Sequence, residues 1–221
     1  MLPAMAKSPG PAARRPRGRR SADGGDTTDL REAILAATAG LLTDRQFGDL
    51  AVSDILAGAG VSRGSFYFYF DSKHDVLAEL VRRAVARGHA AAAPWLAVPA
   101  DPVAALRTGI TAGAELWRQS APVLRAIVEN WRTDPRLEAL WTEQMQTFTD
   151  ATVAQINADP RARQRLAGQD IPALASALTW LGERLYYLAA TGAPPFDDQD
   201  TLVATLLHIW TTALYADTST P

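Results

Sequence analysis

The segment from Asp54 to Leu77 constrains the fold of this chain more than any other stretch. Its sequence, DILAGAGVSRGSFYFYFDSKHDVL, predicts two short helices joined by a tight turn, followed by the start of a longer third helix. Gly60 stands where the turn needs a backbone with positive φ, which glycine adopts at the lowest cost. Ser62 can cap the second short helix by accepting a hydrogen bond from a backbone N–H group. This pattern predicts a helix-turn-helix unit.

The second short helix divides its side chains between an inner and an outer face. Phe66 and Phe70 are four residues apart and can pack inward together. The other faces carry polar and aromatic groups, which suit the major groove of DNA better than a protein core. The predicted DNA-contacting residues are Ser62, Arg63, Gly64, Ser65, Tyr67, Phe68 and Tyr69. Among them, Arg63 and Ser65 are predicted to face base edges. Tyr67 and Tyr69 are predicted to hold phosphates.

The third helix of the segment begins with a capping signal and a basic residue. Ser72 can cap this helix, with Asp75 three residues later as the partner in a capping box. Lys73 lies in the first turn, where the helix dipole disfavours a positive charge. A bound phosphate would compensate for that cost, so we expect Lys73 to contact the DNA backbone.

These residues resemble the helix-turn-helix signature of TetR-type transcriptional regulators. The resemblance rests on Gly60-Val61-Ser62, Gly64, Phe66-Tyr67, Phe70 and Lys73. The aromatic run Phe66–Phe70 and the later Leu207-His208-Ile209-Trp210 further resemble the ethionamide-resistance repressor (EthR-like) branch, and the similarity extends over about residues 29–216.

Two positions depart from the family pattern. Tyr69 stands where the family usually has His. Ala51 stands where a Ser or Thr usually caps the first short helix. The lost cap costs about 1 kcal/mol, part of which Ser53 can recover.

Composition excludes several other classes of protein. The 221 residues include no Cys, and the three His have no spacing typical of metal ligands, so we expect neither disulfides nor a metal site. No apolar run approaches the ~18 residues of a membrane span, and the N-terminus lacks the apolar core of a signal peptide. We therefore expect a cytoplasmic protein without a cofactor.

Charge is distributed unevenly along the chain. Residues 1–20 carry six basic residues and no acidic one, whereas the rest of the chain has 16 Lys and Arg against 24 Asp and Glu. Next to a DNA-binding helix, such an arm can follow phosphates or the minor groove, so Arg17, Arg19 and Arg20 are predicted DNA contacts. The alternative is a solvated or mistranslated extension.

The rest of the chain has apolar residues at helical spacing and no strand signal, so the sequence predicts an all-α protein of about nine helices. The predicted divisions are a disordered basic arm at 1–26, a helix-turn-helix domain at 27–72, a connecting helix at 73–93, a helical ligand-binding and dimerisation domain at 94–216 and a disordered tail at 217–221. Residues 159–172 are predicted to form a loop because they are polar and interrupted by Pro and Gly.

A hydrolytic enzyme is the alternative from another class of protein. Gly60-Val61-Ser62-Arg63-Gly64 matches the G-x-S-x-G motif of serine hydrolases. That motif needs a strand before the serine, whereas a helix is predicted here, and no His has an acidic partner at a useful place. We therefore expect no enzymatic activity. A gel shift with DNA would discriminate a regulator from an enzyme that binds small molecules.

The last two predicted helices are apolar on more than one face, and must therefore be buried on several sides. One interpretation is a deep core within a single subunit. The other is a homodimer in which these two helices pair across a two-fold axis, with Leu206 and Leu214 in the interface. The family resemblance implies the dimer.

The larger domain has many large aromatic residues opposite glycines inside helices. Gly109, Gly113 and Gly182 each cost up to about 1 kcal/mol relative to Ala. They either permit close helix packing or keep space open for a ligand. The EthR-like resemblance implies an elongated apolar tunnel, which on this sequence would be lined by Leu106, Ile110, Gly113, Trp117, Trp141, Met145, Phe148, Thr152, Thr179, Glu183, Tyr187 and Trp210.

The resemblance as a whole implies a repressor that binds double-stranded operator DNA as a homodimer. A hydrophobic small molecule in the larger domain would release it from the operator. Within the same class of protein, the alternative is a transcriptional activator or a dual regulator.

Overall fold

The computed structural model describes residues 25–96 and 99–215. Within those residues the chain forms ten α-helices and one 3₁₀ turn, with no strand, so the all-α prediction is confirmed. The helices are α1 (Gly25–Asp44), α2 (Val52–Ala59), α3 (Arg63–Tyr69), α4 (Lys73–Leu96), α5 (Pro102–Gln119), α6 (Ala121–Asn130), α7 (Pro135–Ala158), α8 (Pro160–Arg165), α9 (Ile171–Ala190) and α10 (Gln199–Tyr215), with the 3₁₀ turn at Trp131–Thr133. Arg17, Arg19, Arg20 and the predicted tail lie outside the described residues. A search of the described helices for one long and apolar enough to cross a membrane finds none.

Aspartate caps followed by proline determine where several helices begin. Asp101, Asp134 and Asp159 each accept hydrogen bonds from the first backbone N–H groups of the helix that follows, and each precedes a proline. The last of these caps corrects the predicted loop at 159–172. Asp159 and Pro160 start α8 there, so the described residues form ten helices rather than nine.

The first three helices enclose a small apolar core. Its buried residues are Ile34, Leu35, Ile55, Phe66, Phe70 and Val76. Gly60 has φ of 65° and closes α2 by donating its N–H to the carbonyl of Leu56. Ala51 provides no side-chain cap, but the side chain of Asp54 supplies the other half of a capping box, because its Oδ2 accepts a hydrogen bond of 2.9 Å from the backbone N–H of Ala51. The start of α2 is therefore stabilised by Asp54.

A second apolar cluster joins this unit to the larger domain. Its buried residues include Leu42, Phe47 and Leu50 near the end of α1, Leu77 and Val81 of α4, Leu124 and Ile127 of α6, and Leu137 and Trp141 of α7. On the outer side, α1 and α4 are held together by charge. The guanidinium of Arg83 lies 2.7 Å from Glu32 and 3.1 Å from Glu79. The two domains therefore share a continuous core along α4.

A third cluster packs α10 against α5 and α9 within the same subunit. Leu206 is 1% exposed and Leu214 is fully buried. The interpretation as a deep core is therefore right for these two residues, and their predicted place in a dimer interface is wrong. A helix that is apolar on two faces does not reveal from its sequence which face its own subunit buries.

Candidate functional site

α3 presents an exposed surface opposite its buried phenylalanines. Ser62 caps the helix, because its Oγ accepts a hydrogen bond of 3.0 Å from the backbone N–H of Ser65. Phe66 is fully buried and anchors α3 against α1 and α2. On the other side, Tyr67 is 43% exposed and Phe68 is 75% exposed. Adjacent apolar rings this accessible to solvent are typical of a contact surface.

The residues predicted to contact DNA differ in how exposed they are to solvent. Ser62, Arg63, Gly64, Tyr67 and Phe68 are all exposed. The guanidinium of Arg63 lies 5.3 Å from the centroid of the Tyr67 ring, a stacking that orients the Arg side chain along α3.

The two remaining predicted contacts in α3, Ser65 and Tyr69, are half-buried. The hydroxyl of Ser65 lies 2.9 Å from the hydroxyl of Ser62. The ring of Tyr69 contacts Phe68 edge-on at 4.9 Å between centroids. Both are therefore less available than the five exposed residues for a direct contact.

Lys73 has a different role from the one predicted. Its Nζ donates hydrogen bonds to the carbonyl oxygens of Phe47 at 2.9 Å, Gly48 at 3.0 Å and Leu50 at 2.7 Å. An ammonium has three N–H donors, so all of them are occupied. Burial lowers the pKa of Lys73. This geometry weighs against the predicted phosphate contact, because three backbone carbonyls already supply the negative partner.

The start of α4 is held from the larger domain as well. Ser72 Oγ accepts a hydrogen bond of 3.3 Å from the backbone N–H of Asp75, as predicted for this cap, and donates to the carboxylate of Asp75 at 2.8 Å. The other carboxylate oxygen of Asp75 accepts a hydrogen bond of 2.9 Å from Arg136 at the start of α7. The beginning of α4 is thus fixed to both the α1–α2 loop and α7.

A cavity of about 190 Å³ lies in the larger domain between α4, α5, α6, α7, α9 and α10. The residues of the predicted lining that reach it are Leu106, Ile110, Gly113, Trp117, Trp141, Met145, Phe148, Thr152, Thr179, Glu183 and Trp210. Sequence analysis missed the wall that α4 contributes through Ala84, Val85 and Gly88. Gly88 interrupts the apolar stripe of α4, and this interruption is the sequence signal that could have identified the wall.

Tyr187 is the one predicted lining residue that lies outside the cavity. Its hydroxyl donates to Glu129 at 3.1 Å, and the guanidinium of Arg184 covers its ring at 5.0 Å. Tyr186 lines the cavity instead, donating to the carbonyl of Ile110 at 3.1 Å and stacking on Trp117 at 6.1 Å. Adjacent helical positions point in different directions, so only one tyrosine can face inward.

Two glycines of the cavity wall have different structural roles. A Cβ added at Gly113 would lie 2.8 Å from the hydroxyl oxygen of Tyr186, so Gly113 permits a close approach rather than keeping space open. A Cβ added at Gly182 would meet Tyr186 only at 4.0 Å, which is an ordinary contact. Close packing therefore explains Gly113, and room for further atoms exists at Gly182.

Several polar groups interrupt the apolar lining, and three of them lack a strong partner. Glu183 is 6% exposed, and burial raises the pKa of its carboxyl, while Arg184 at 3.9 Å opposes the shift. Thr179 Oγ1 and Trp141 Nε1 are buried and find no hydrogen-bond partner in the part of the chain that the structure describes. A buried polar group left in this condition costs about 1–3 kcal/mol. A search of the same part for three or more His, Asp or Glu able to hold a metal finds none.

Comparison with known proteins identifies both halves of the chain. A family model for bacterial regulatory proteins of the tetR family matches residues 34–80, and a model for the C-terminal domain of the transcriptional regulator EthR matches residues 106–216. The HTH-type transcriptional regulator EthR of Mycolicibacterium smegmatis is 38% identical over 207 residues, covering 91% of this chain and 93% of the relative. The chain belongs to the TetR family of transcriptional regulators, with an EthR-type C-terminal domain. The resemblance found in the sequence is confirmed.

A further relative matches this chain in sequence, and a solved structure matches it in fold. EthR of Mycobacterium tuberculosis H37Rv is 38% identical over 208 residues, covering 91% of this chain and 94% of the relative. The crystal structure of NalD from Pseudomonas aeruginosa matches with a TM-score of 0.70 at 21% identity, over 87% of this chain and 98% of that one, which shows the shared fold. TetR regulators bind operator DNA through the helix-turn-helix. This chain is accordingly a DNA-binding regulator and not an enzyme.

Replacing Lys73 by Met tests its role in the fold. The change leaves three carbonyl groups without their donor, so the free energy of unfolding should fall by about 1–3 kcal/mol in urea titrations. Arg82→Met on the exposed side of the same helix is the control and should change it by no more than about 0.5 kcal/mol. An equally small effect of Lys73→Met would return Lys73 to the candidate phosphate contacts.

Replacing Glu183 by Gln tests the buried carboxyl. The pKa of the Glu183 carboxyl in the folded protein is raised above its usual 4.5. At pH values between the unfolded and the folded pKa, the native protein therefore binds more protons than the unfolded chain. Stability is lost as the pH rises through this range. Thermal melts from about pH 4.5 to 7 should show the wild type losing stability relative to Glu183→Gln. Glu143→Gln, at an exposed position, should show no such trend. A constant difference between wild type and Glu183→Gln would contradict the raised pKa.

Proposed function

We propose that this regulator is a repressor that an apolar small molecule releases from its operator. The observation that carries the proposal is the position of α4. The helix starts at Lys73, which is tied to the helix-turn-helix, and its Val85 and Gly88 form one wall of the cavity. About 18–23 Å of continuous helix connects these positions, at 1.5 Å per residue. A ligand that displaces the wall therefore acts on the element that positions α3.

A second connection runs through α6. Leu124 lines the cavity and belongs to the same buried cluster as Leu42 and Phe47 beside the helix-turn-helix. Close-packed interiors respond to an inserted group by moving as units rather than by local compression. The ligand would favour a conformation whose two recognition helices are wrongly spaced for the operator. A coupling free energy of about 1–3 kcal/mol is typical of such systems and acts in both directions.

For DNA binding, we propose that α3 enters the major groove. Arg63 and Ser65 face base edges in this arrangement, and Tyr67 and Tyr69 hold phosphates on either side. Exposure of Arg63 and Tyr67 supports their assignment most directly. The remaining proposed contacts are Ser62, Gly64 and Phe68, together with Arg17, Arg19 and Arg20 of the basic arm. Lys73 is left out because its donors are occupied.

The homodimer is proposed to form through α9 and α10, as the sequence suggested, but through other residues. Trp180 is 36% exposed, and Ala177 and Ala204 are exposed on the same two helices. Leu181 and Ile209 are half-buried within the subunit. These residues are apolar positions of α9 and α10 that stay at least partly accessible after Leu206 and Leu214 are buried internally. A two-fold dimer would present two copies of α3 to the two half-sites of an operator.

Arg63→Ala tests the proposed base contact. A bidentate contact to guanine gives about 1–3 kcal/mol of discrimination, so the variant should lose preference at one base position in each half-site. Affinities would be measured by fluorescence anisotropy on duplexes selected from genomic fragments and on their single-base variants. Arg107→Ala, on an exposed site of α5, should leave the preferences intact. If Arg63→Ala weakens every duplex equally, Arg63 contacts phosphate instead.

Ala177→Glu and Ala204→Glu test the dimer. Each places charge on the proposed interface without disturbing the core of the subunit, so sedimentation should shift from dimer to monomer and operator affinity should fall with it. Ala154→Glu, exposed on α7, is the matched control and should remain dimeric. Dimers that persist in both interface variants would place the interface on other helices.

Ligand release is tested with a panel of elongated apolar compounds. A ligand at a hundredfold excess over Kd should stabilise the protein by about 2.7 kcal/mol. It should also quench tryptophan fluorescence and weaken operator binding about 5- to 150-fold. Gly182→Phe should fill free space and abolish these effects in a folded protein, whereas Gly113→Phe should collide with Tyr186 and destabilise it. A panel without any effect on the parent protein would remove the effector from the proposal.

The direction of regulation is tested with a reporter gene behind the selected operator. Loss of the regulator should raise expression, and the effector should raise it when the regulator is present. A fall in expression on loss of the regulator would identify an activator.

A further inference from the structure

We propose that the effector carries one protonated amine on an otherwise apolar body, and that Glu183 and Thr179 bind this amine. The inference rests on the proposed function, since it concerns the same cavity. It adds the chemical class of the ligand, which the apolar lining alone does not determine. The observation behind it is a nearly buried carboxyl in a wall that is otherwise made almost entirely of apolar groups.

Glu183 lacks a partner of the strength that a buried carboxylate requires. The nearest cation is Arg184, at 3.9 Å between Nε and Oε2, and the Arg184 side chain is 54% exposed. That guanidinium lies over the ring of Tyr187, outside the cavity. Neighbouring positions on a helix do not face each other, so Arg184 cannot follow Glu183 into the cavity. A cation in the cavity would supply the missing compensation.

Thr179 supplies a second acceptor at the same place. It precedes Glu183 by four residues on α9, so both side chains lie on one face of the helix. Its Oγ1 is buried without a hydrogen-bond partner in the described part of the chain. A hydroxyl oxygen accepts hydrogen bonds, and an ammonium brings three N–H donors. A carboxylate and a hydroxyl one turn apart therefore match a primary amine.

The other polar groups of the lining offer the amine no negative charge. The indole N–H of Trp141 is only a donor and cannot bind an ammonium through hydrogen bonds. The hydroxyl of Thr152 donates to the carbonyl of Phe148 at 3.0 Å. Its oxygen can still accept a hydrogen bond, but it is neutral and compensates an ammonium less than a carboxylate does. The amine is therefore directed to α9, while aromatic walls such as Trp117 and Trp210 contact the apolar body.

Three ligand types of equal shape rank differently in such a site. An amine compensates the charge of Glu183, an alcohol offers a hydrogen bond without charge, and a carboxylate is repelled. Neither of the last two removes the cost of the buried negative charge. The expected order of affinity is amine, then alcohol, then carboxylate.

The test uses 4-phenylbutylamine, 4-phenylbutan-1-ol and 4-phenylbutyrate as matched probes. Their dissociation constants at neutral pH would be measured by calorimetry with the full-length protein. The wild type should bind the amine about tenfold or more tightly than the alcohol, since coupling energies measured for close charge pairs begin at about this factor. In Glu183→Gln the advantage of the amine should fall below about threefold, with the affinity for the alcohol retained. Glu143→Gln should behave as the wild type.

Thr179→Val provides a second, milder variant. It removes one acceptor and keeps the volume, so the amine should bind about 3- to 10-fold more weakly while the alcohol changes less. Retained binding of the alcohol shows in each variant that the cavity is still formed.

The outcomes separate this inference from the proposed function. Equal binding of amine and alcohol to the wild type overturns the amine site and leaves the cavity as an effector site. A preference for the amine that persists in Glu183→Gln also overturns it, because the cation then binds elsewhere. If no probe and no member of the apolar panel binds the wild type or weakens operator binding, the proposed effector function itself fails.

Discussion

Three hydrogen bonds from a single ammonium group hold this regulator in its arrangement. Lys73 connects the first turn of α4 to the carbonyls of Phe47, Gly48 and Leu50 in the α1–α2 loop. On the far side of the same turn, Asp75 binds Arg136 of α7. The orientation of α3 depends on this junction, because only Phe70, Asp71 and Ser72 separate α3 from α4. The DNA-binding surface therefore has little freedom to move unless α4 moves with it.

The cavity lies where α4 has left that junction and packs against α5 and α7. Its walls are large rings, and the arrangement of the rings depends on small residues. Gly113 lets Tyr186 approach closely enough to stack on Trp117 and bind the backbone of Ile110. Glu183 lies in this apolar surrounding. Its burial costs solvation free energy, and close packing alone does not require a carboxyl at this position. A buried acid of this kind is more readily explained by what binds to it than by the stability of the fold.

The helix-turn-helix and most helix boundaries could be predicted from the sequence because their determinants are local. The positive φ of Gly60, the cap at Ser62 and the four-residue spacing of Phe66 and Phe70 each involve neighbours within one helical turn. The same holds for the Asp-Pro pairs that start α5 and α7. The family resemblance then located eleven of the twelve predicted lining residues.

Other features were decided only by the tertiary structure, because they depend on partners that are far apart in the sequence. Lys73 finds its acceptors 23 to 26 residues earlier, so no local pattern distinguished them from a phosphate. Tyr186 and Tyr187 have the same side chain at adjacent positions, and only packing against α5 places Tyr186 at the cavity. Leu206 and Leu214 lie on a helix that is apolar on two sides, and burial by α5 and α9 assigns them to the core. Sequence determined which helices form and which faces are apolar, whereas the fold determined what each apolar face covers, because burial depends on neighbours that periodicity does not specify.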